Sequence, residues 1–164
     1  MSFKINLLII PFLLILVSAK TQDLSEVRQN IIGNWDLDME QTWDVYNYTK
    51  EHMSGKQIRE FEEFLTMFEV YKWIIREDGS ISISFQSNGR NFPSQNSTYE
   101  IEEVELSKNE LKLIGKNPVF NPWAENNKGI KITANKQSKY ILSCGPKKMI
   151  IYDIGSPLVF NRIE

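Results

Sequence analysis

Side chains able to carry nucleophilic or zinc chemistry are scarce in this chain. His52 is its one histidine and Cys144 its one cysteine. A zinc site usually needs several histidine or cysteine ligands, and a serine hydrolase needs its histidine buried beside the nucleophile. His52 stands in a polar stretch, so we interpret it as solvated. We interpret Cys144, in an alternating apolar stretch, as a small buried side chain; a reactive thiol is the alternative.

Clustered acidic residues are the other candidates for chemistry. Asp36 and Asp38 alternate in an extended segment and so share one face, while Glu102, Glu103 and Glu105 lie close together further on. Nothing beside the two aspartates would shift a pKa, and a calcium site needs six or more oxygens from a defined loop. We interpret both groups as solvated surface. The sequence therefore predicts no catalytic residue, no metal, no cofactor and no enzyme.

The positive signal is apolar and aromatic. Aromatic residues make up 12% of the chain, enough to line a cavity as well as to fill a core. Residues predicted to contact a ligand lie on inward faces of strands, on one helix and in the turn-like segment 117–128. They are Leu37, Phe61, Phe64, Phe68, Trp73, Phe85, Phe120, Trp123, Met149 and Phe160. The loop aromatics Phe120 and Trp123 have an alternative position, tucked under the loop.

Strands must position most of these side chains. From Val70 onward apolar residues recur at every second position, and Asp78-Gly79 is a strong hairpin signal. Counting from Trp35 gives eight or nine strands joined mostly by short turns. The sequence therefore predicts an all-β fold, an antiparallel up-and-down barrel of about eight strands.

Two local details of the strands are predicted from their alternation. A change of phase after Ile101 predicts a β-bulge at Glu102 and Glu103. Further on, the same alternation places Cys144 on the inward face together with Tyr140 and Leu142.

A helical insertion is predicted after the first strand. Segment 40–53 has the character of an aromatic-rich linker, and Ser54 and Gln57 then form a capping-box pattern. Apolar residues follow at helical spacing, so a helix should run to about Glu69. Its phenylalanines either plug the barrel or form a lid that touches a ligand. A short amphipathic turn or a disordered segment is expected at 20–30, before the barrel.

Gly33, Trp35 and Arg162 form the most specific pattern. Gly33 and Trp35 share one face of the first strand, where glycine lets backbone pass close beside the indole. Gly33-Asn34-Trp35 resembles the Gly-x-Trp signature that opens lipocalin and other calycin barrels. In that family an arginine near the end of the last strand packs across the tryptophan, and Arg162 has the matching position.

The resemblance covers about 31–163 and implies a barrel that carries a small apolar ligand. Two features depart from the lipocalin pattern. The Thr-Asp-Tyr loop motif of typical lipocalins is absent, and the helical segment after the first strand is longer than expected. Independently of the family, we predict that Arg162 stacks on Trp35, because a buried guanidinium needs compensation and an indole face offers it. The alternative is an arginine that extends into solvent near the chain end.

Residues 1–19 have the pattern of a cleaved secretion signal. Lys4 precedes an apolar run, and Ala19 suits cleavage before Lys20. The run is shorter than the ~20 residues that span a bilayer, so no stable membrane anchor is predicted. The mature chain, 20–164, then forms one secreted domain, extracellular or periplasmic.

Composition narrows the partners. The net charge is −2 with no basic block, so nucleic-acid binding is not predicted. Asn47 and Asn96 begin sequons and are possible glycosylation sites in a eukaryotic secretory route. The favoured function is binding of a small hydrophobic or amphipathic ligand in the barrel. The alternative is a secreted interaction module, an inhibitor or effector, which has a filled core and uses the loops at the barrel end to bind a protein.

Overall fold

The computed structural model describes residues 23–110, 128–153 and 155–164, which hold nine strands and three α-helices. The helices are α1 (Leu24–Asn30), α2 (Met39–Thr49) and α3 (Gly55–Met67), and a 3-10 turn (Lys50–His52) follows α2. The strands are β1 (Gly33–Leu37), β2 (Val70–Ile75), β3 (Ser80–Ser87), β4 (Arg90–Asn91), β5 (Gln95–Glu105), β6 (Lys128–Ala134), β7 (Gln137–Cys144), β8 (Lys148–Asp153) and β9 (Ser156–Ile163). The predicted signal 1–19 lies outside the described residues. Among those residues, no helix is long and apolar enough to cross a membrane.

Eight of the described strands close into an antiparallel barrel. Their order is β2-β1-β9-β8-β7-β6-β5-β3, and pairing of β2 with β3 closes the ring. β4 pairs only with the end of β3. Each barrel strand therefore lies beside its sequence neighbours, and the first strand meets the last. The predicted fold class is confirmed, including the helical insertion after β1.

The barrel core is built from directly opposed residues, which share a face of the sheet. Trp35 on β1 lies opposite Trp73 on β2 and Arg162 on β9, and Leu37 lies opposite Phe160. Both tryptophans and Phe160 are almost completely buried. The first and last strands thus carry their largest side chains into the same interior.

One end of the barrel is closed by contacts around Trp35. Its Nε1–H donates to the Ile31 carbonyl over 2.7 Å, and the Arg162 guanidinium lies 4.6 Å from the ring centroid. Arg162 Nη2 also donates to the Asn30 carbonyl at the end of α1. A Cβ at Gly33 would come within 3.1 Å of Arg162 Nη1, and the φ of +150° also favours glycine. The predicted stacking of Arg162 on Trp35 is confirmed.

Helix α1 covers this closed end, as the amphipathic interpretation of 20–30 predicted. Asp23 caps it by accepting from Ser25 N, and Val27 is buried against the barrel. Arg28 donates to the Ile101 carbonyl over 3.0 Å, which ties the helix to β5.

Residues 39–52 are helical, so the prediction of 40–53 as a linker was wrong. Asp38 caps α2 by accepting from Gln41 N over 2.9 Å. The buried positions of α2 are Thr42, Val45, Tyr46 and Thr49. Two of these are threonines, so the spacing of apolar residues alone did not indicate the helix.

The predicted bulge at Glu102 and Glu103 was also wrong. β5 and β6 pair without interruption from Tyr99–Ala134 to Glu105–Lys128. Ile101 and Val104 lie on opposite faces of β5, and both are half-buried. The apolar alternation therefore changes phase between them without an inserted residue. A register shift occurs instead between β7 and β8, at Ile141 and Ser143.

We expect Arg162→Lys to destabilise the protein by about 1–2 kcal/mol, because lysine keeps the charge but loses the planar group that stacks and donates to backbone. Denaturant unfolding measures the change. Arg59→Lys, at an exposed position on α3, is the matched control and should leave stability unchanged. Equal midpoints for the two variants would contradict a structural role for Arg162.

The capping box of α3 gives a second prediction. Ser54 Oγ accepts from Gln57 N, and Gln57 Oε1 accepts from Ser54 N over 2.9 Å. Ser54→Ala should lower the free energy of unfolding by about 1 kcal/mol, while Ser54→Asp, another good cap, should retain it. Amide exchange in the first turn of α3 reports the same effect locally. Unchanged exchange in Ser54→Ala would exclude the cap.

Candidate functional site

A cavity of about 200 Å³ lies at the end of the barrel opposite α1. It sits between α3 and strands β2, β3, β6 and β7, with Gln95 of β5 at its edge. Its lining residues are Phe64, Phe68, Tyr71, Trp73, Ile83, Phe85, Gln95, Ile132, Ala134, Asn135, Gln137 and Lys139. The lining is therefore aromatic toward α3 and polar toward the turn between β6 and β7.

Aromatic contacts fix the roof of this cavity. Phe64 projects from α3, and Phe68 is the extended residue that ends it, with the two ring centroids 4.9 Å apart. Phe64 meets Tyr71 of β2 at 5.6 Å, and Phe68 meets Phe85 of β3 at 5.0 Å, both edge to face. Such geometry is favourable for aromatic pairs, so the roof is held by interlocked rings.

Helix α3 is itself anchored by α2. Phe61 of α3 is fully buried and stacks on Tyr46 of α2 with centroids 5.1 Å apart. The Tyr46 hydroxyl donates to Glu62 over 2.6 Å. At the start of α3, the Gln57 side chain lies so close to Gly155 that a Cβ there would come within 2.9 Å. These contacts fix the position of the roof relative to the barrel.

A largely buried ion pair lies beside the cavity. Lys139 of β7 donates to Asp153 of β8, and their side chains are only 15% and 16% exposed. Lys139 lines the cavity. Buried charges require partners, so each of these two residues makes the burial of the other tolerable.

Tyr71 and Trp73 supply the other interior polar groups. Burial raises the pKa of Tyr71 to about 12, although a side-chain hydrogen bond with Trp73 opposes the rise, and the negative charge of Asp153 adds to it. The Tyr71 hydroxyl therefore stays protonated at neutral pH. The Trp73 indole is 1% exposed. Its Nε1–H has no hydrogen bond of regular geometry to any of the described residues. Its polar contact is with the Tyr71 hydroxyl, and the Nε1 atom is itself buried.

Four of the residues predicted to contact a ligand line the cavity: Phe64, Phe68, Trp73 and Phe85. Three others belong to the filled core away from it, and these are Phe61, Met149 and Phe160. Leu37 is half-buried and packs against that core. Phe120 and Trp123 lie outside the described residues.

The sequence analysis did not predict the polar side of the cavity. Uniform alternation placed Tyr140 and Leu142 inward with Cys144. In the structure Tyr140 lies opposite Tyr152, whereas Ile132 lies opposite Lys139. The register shift after Ile141 lets Lys139, Ile141 and Cys144 share the interior. A lysine between Ser138 and Tyr140 carries no local signal that it faces the interior, because only the barrel sets which face of the strand is inside.

The residues first considered for chemistry lie away from the cavity. His52 is next to Glu51 at 3.2 Å on the 3-10 turn. Cys144 is buried, and burial raises its pKa to about 12. Asp36 forms an ion pair with Lys72, while Asp38 caps α2. Within the described part of the chain, no three histidine, cysteine or acidic side chains are placed to hold a metal.

Comparisons of the chain with family models, with curated proteins and with solved structures found no match. The fold of the chain is therefore assigned from its own geometry. A closed eight-stranded antiparallel barrel is consistent with a calycin-like fold.

Lys139→Met tests the interior ion pair. It leaves the Asp153 carboxylate largely buried and without its lysine partner. We expect the free energy of unfolding to fall by about 1–3 kcal/mol, which is less than the ~3–5 kcal/mol lost when a fully buried ion pair is broken. The double variant with Asp153→Asn should recover part of this. Lys128→Met breaks the exposed pair with Glu103 and should leave the melting temperature unchanged. Equal melting of the two single variants would show that Lys139 is solvated.

Proposed function

We propose that this protein is a secreted, lipocalin-like carrier that binds a small apolar or amphipathic molecule in the cavity under α3. The observation that supports it best is the cavity itself, which has an aromatic roof and a few interior polar groups. Ligand sites in proteins are usually concave and apolar with a small number of polar groups that set orientation. In this proposal the protein is not an enzyme, and its partner is the ligand, with no nucleic acid and no membrane anchor.

The closed end supports the lipocalin-like part of the proposal. Gly33, Trp35 and Arg162 pack as one unit where the first and last strands meet. This is the arrangement that the resemblance implied. Secretion rests on the signal pattern of residues 1–19, and glycosylation at Asn47 or Asn96 remains conditional on a eukaryotic route. Both asparagines are exposed.

The volume limits the size of the ligand. A cavity of about 200 Å³ is smaller than the ~300–1,000 Å³ of most drug-sized sites. An apolar cavity of ~150 Å³ accommodates benzene. The cavity therefore suits a molecule of about one ring, and a retinoid or a long fatty acid would require displacement of the roof.

The mouth of the cavity supports access from solvent. Gln95, Asn135 and Gln137 are exposed and form a polar rim. Beside them Phe92 stacks on Phe85 with centroids 4.7 Å apart and is 43% exposed. Aromatic surface thus continues from the cavity to the outside, which favours entry of an apolar molecule at this point.

Titration with a panel of ligands, followed by tryptophan fluorescence, tests the proposal. Single-ring compounds should change the emission of Trp73, which lines the cavity, and retinoids and long fatty acids should bind more weakly. Absence of binding by every member of the panel would contradict the proposal.

Filling the cavity gives a matched test. Ala134 lines it and is half-buried. Ala134→Leu should weaken binding by roughly tenfold or more while the protein stays folded, because the added methylenes occupy ligand space. Ala134→Ser keeps the volume and should bind nearly as the wild type does. Equal affinity of the leucine variant would place the ligand elsewhere.

The interaction module remains the alternative from the sequence. It places function on the loop 117–128, of which only Lys128 belongs to the described residues. It also requires a filled interior, and the cavity under α3 favours the carrier instead.

A further inference from the structure

We propose that Asp153 sets the charge selectivity of the cavity: by neutralising Lys139 it excludes aromatic carboxylates and keeps the site for uncharged, single-ring molecules. This inference rests on the proposed function and names the class of its ligand. Three observations carry it: the place of Lys139 in the cavity lining, the place of Asp153 beside it, and the aromatic character of the interior wall.

Lys139 gives the cavity lining its charge. Of the described residues that line the cavity, Lys139 is the charged one, and its side chain is largely buried. Gln95, Asn135 and Gln137 are uncharged amides at the exposed rim. Without a counter-charge, the Lys139 ammonium would be a largely buried cation beside an aromatic space, and such a cation attracts an anion.

Asp153 supplies the counter-charge. It lies beside Lys139 on the neighbouring strand, one position beyond the Tyr140–Tyr152 pair of β7 and β8. It accepts a hydrogen bond from Lys139, and its side chain is largely buried as well. The pair is therefore neutral as a whole, and a ligand carboxylate would have to compete with a carboxylate that is already in place.

The charge of Asp153 also reaches the cavity lining. Tyr71 lines the cavity, and the negative charge of Asp153 adds to the rise in the pKa of its hydroxyl. A ligand carboxylate under the roof would bring a second negative charge near Asp153, and like charges disfavour each other in a largely buried site. Asp153 therefore repels an anion and also removes the positive charge that would attract one.

The rest of the interior offers ring surface. Phe68 contacts Phe64 and Phe85 edge to face, with centroids 4.9 and 5.0 Å apart. Tyr71 and Trp73 carry uncharged polar groups that contact each other. The volume of about 200 Å³ admits one ring with a short substituent. An uncharged ring therefore gains aromatic contact without bringing an unpaired charge into the site.

Three probes share one ring and differ in the charge of a short substituent. Toluene is uncharged, benzoate is an anion, and benzylamine is a cation at neutral pH. By calorimetry on the mature chain, 20–164, toluene should bind about tenfold or more tightly than either charged probe, because a charge buried without a partner is unfavourable.

Removal of the Asp153 charge should change this selectivity. Asp153→Asn keeps the size of the side chain and leaves the Lys139 ammonium without its counter-charge. Benzoate should then gain roughly tenfold or more in affinity, as expected for a hydrogen bond to a charged group. Toluene should bind as it does to the wild type. A residue that only stabilised the fold would change the affinities for both probes together.

Asp36→Asn is the matched control. It makes the same chemical change and the same change in net charge, but Asp36 pairs with Lys72 away from the cavity lining. Benzoate should bind this variant as it binds the wild type. An equal gain in benzoate affinity for both variants would assign the effect to net charge and overturn the inference.

Lys139→Met is the reciprocal variant, and it provides the test where Asp153→Asn does not fold. It leaves the Asp153 carboxylate without its lysine, so benzylamine should gain affinity by a similar factor while benzoate should not. An unchanged affinity for benzylamine in the folded variant would contradict the inference. Circular dichroism checks that each variant folds.

The outcomes distinguish the inference from the proposed function. If folded Asp153→Asn binds toluene but gains no affinity for benzoate, the inference is wrong and the carrier stands. Tighter binding of benzoate or benzylamine than of toluene to the wild type would overturn the inference in the same way, even where no variant folds. Failure of all three probes to bind the wild type would overturn both the inference and the single-ring carrier.

Discussion

The first strand, β1, is too short to pair with the whole of β9. The rest of β9 needs other backbone partners, and this requirement sets the structure of the open end of the barrel. β1 has five residues, and its ladder with β9 ends at Leu37 and Phe160. Beyond this point the buried backbone of Val159 needs other partners. Its N–H donates to Thr42 Oγ1 over 3.0 Å, and its carbonyl accepts from Asp38 N over 2.8 Å. Helix α2 therefore starts where β1 stops and completes the edge of β9.

The roof of the cavity depends on α2 taking the place of a longer β1 beside β9. α2 holds α3 through the stacking of Tyr46 on Phe61, and α3 then lies across the barrel mouth. A strand ladder would have brought backbones close together and closed this end. Helices meet the barrel through side chains, and the rings of Phe64 and Phe68 leave a small space above Trp73. Packing at this end is therefore looser than in the core.

The two ends of the barrel treat the same kinds of residue differently. At the closed end the N–H groups of Trp35 and Arg162 reach backbone carbonyls of Ile31 and Asn30. At the open end the polar groups of Trp73 and Lys139 interact with other side chains, those of Tyr71 and Asp153. The end of α1 supplies these backbone acceptors at the closed end. The polar groups of the closed end are therefore tied to backbone, whereas those of the open end are held by other side chains.

The sequence by itself determined what depends on local periodicity. The barrel class, the cap at Ser54 and the pairing of Trp35 with Arg162 followed from strand alternation, capping chemistry and the meeting of first and last strands. Only the tertiary structure decided the helicity of α2, whose buried Thr42 satisfies the edge of β9. It also decided the inward position of Lys139, which depends on a register shift. It also decided the cavity volume, because the space left by Phe64 and Phe68 is a small difference between large packed volumes that no local pattern encodes.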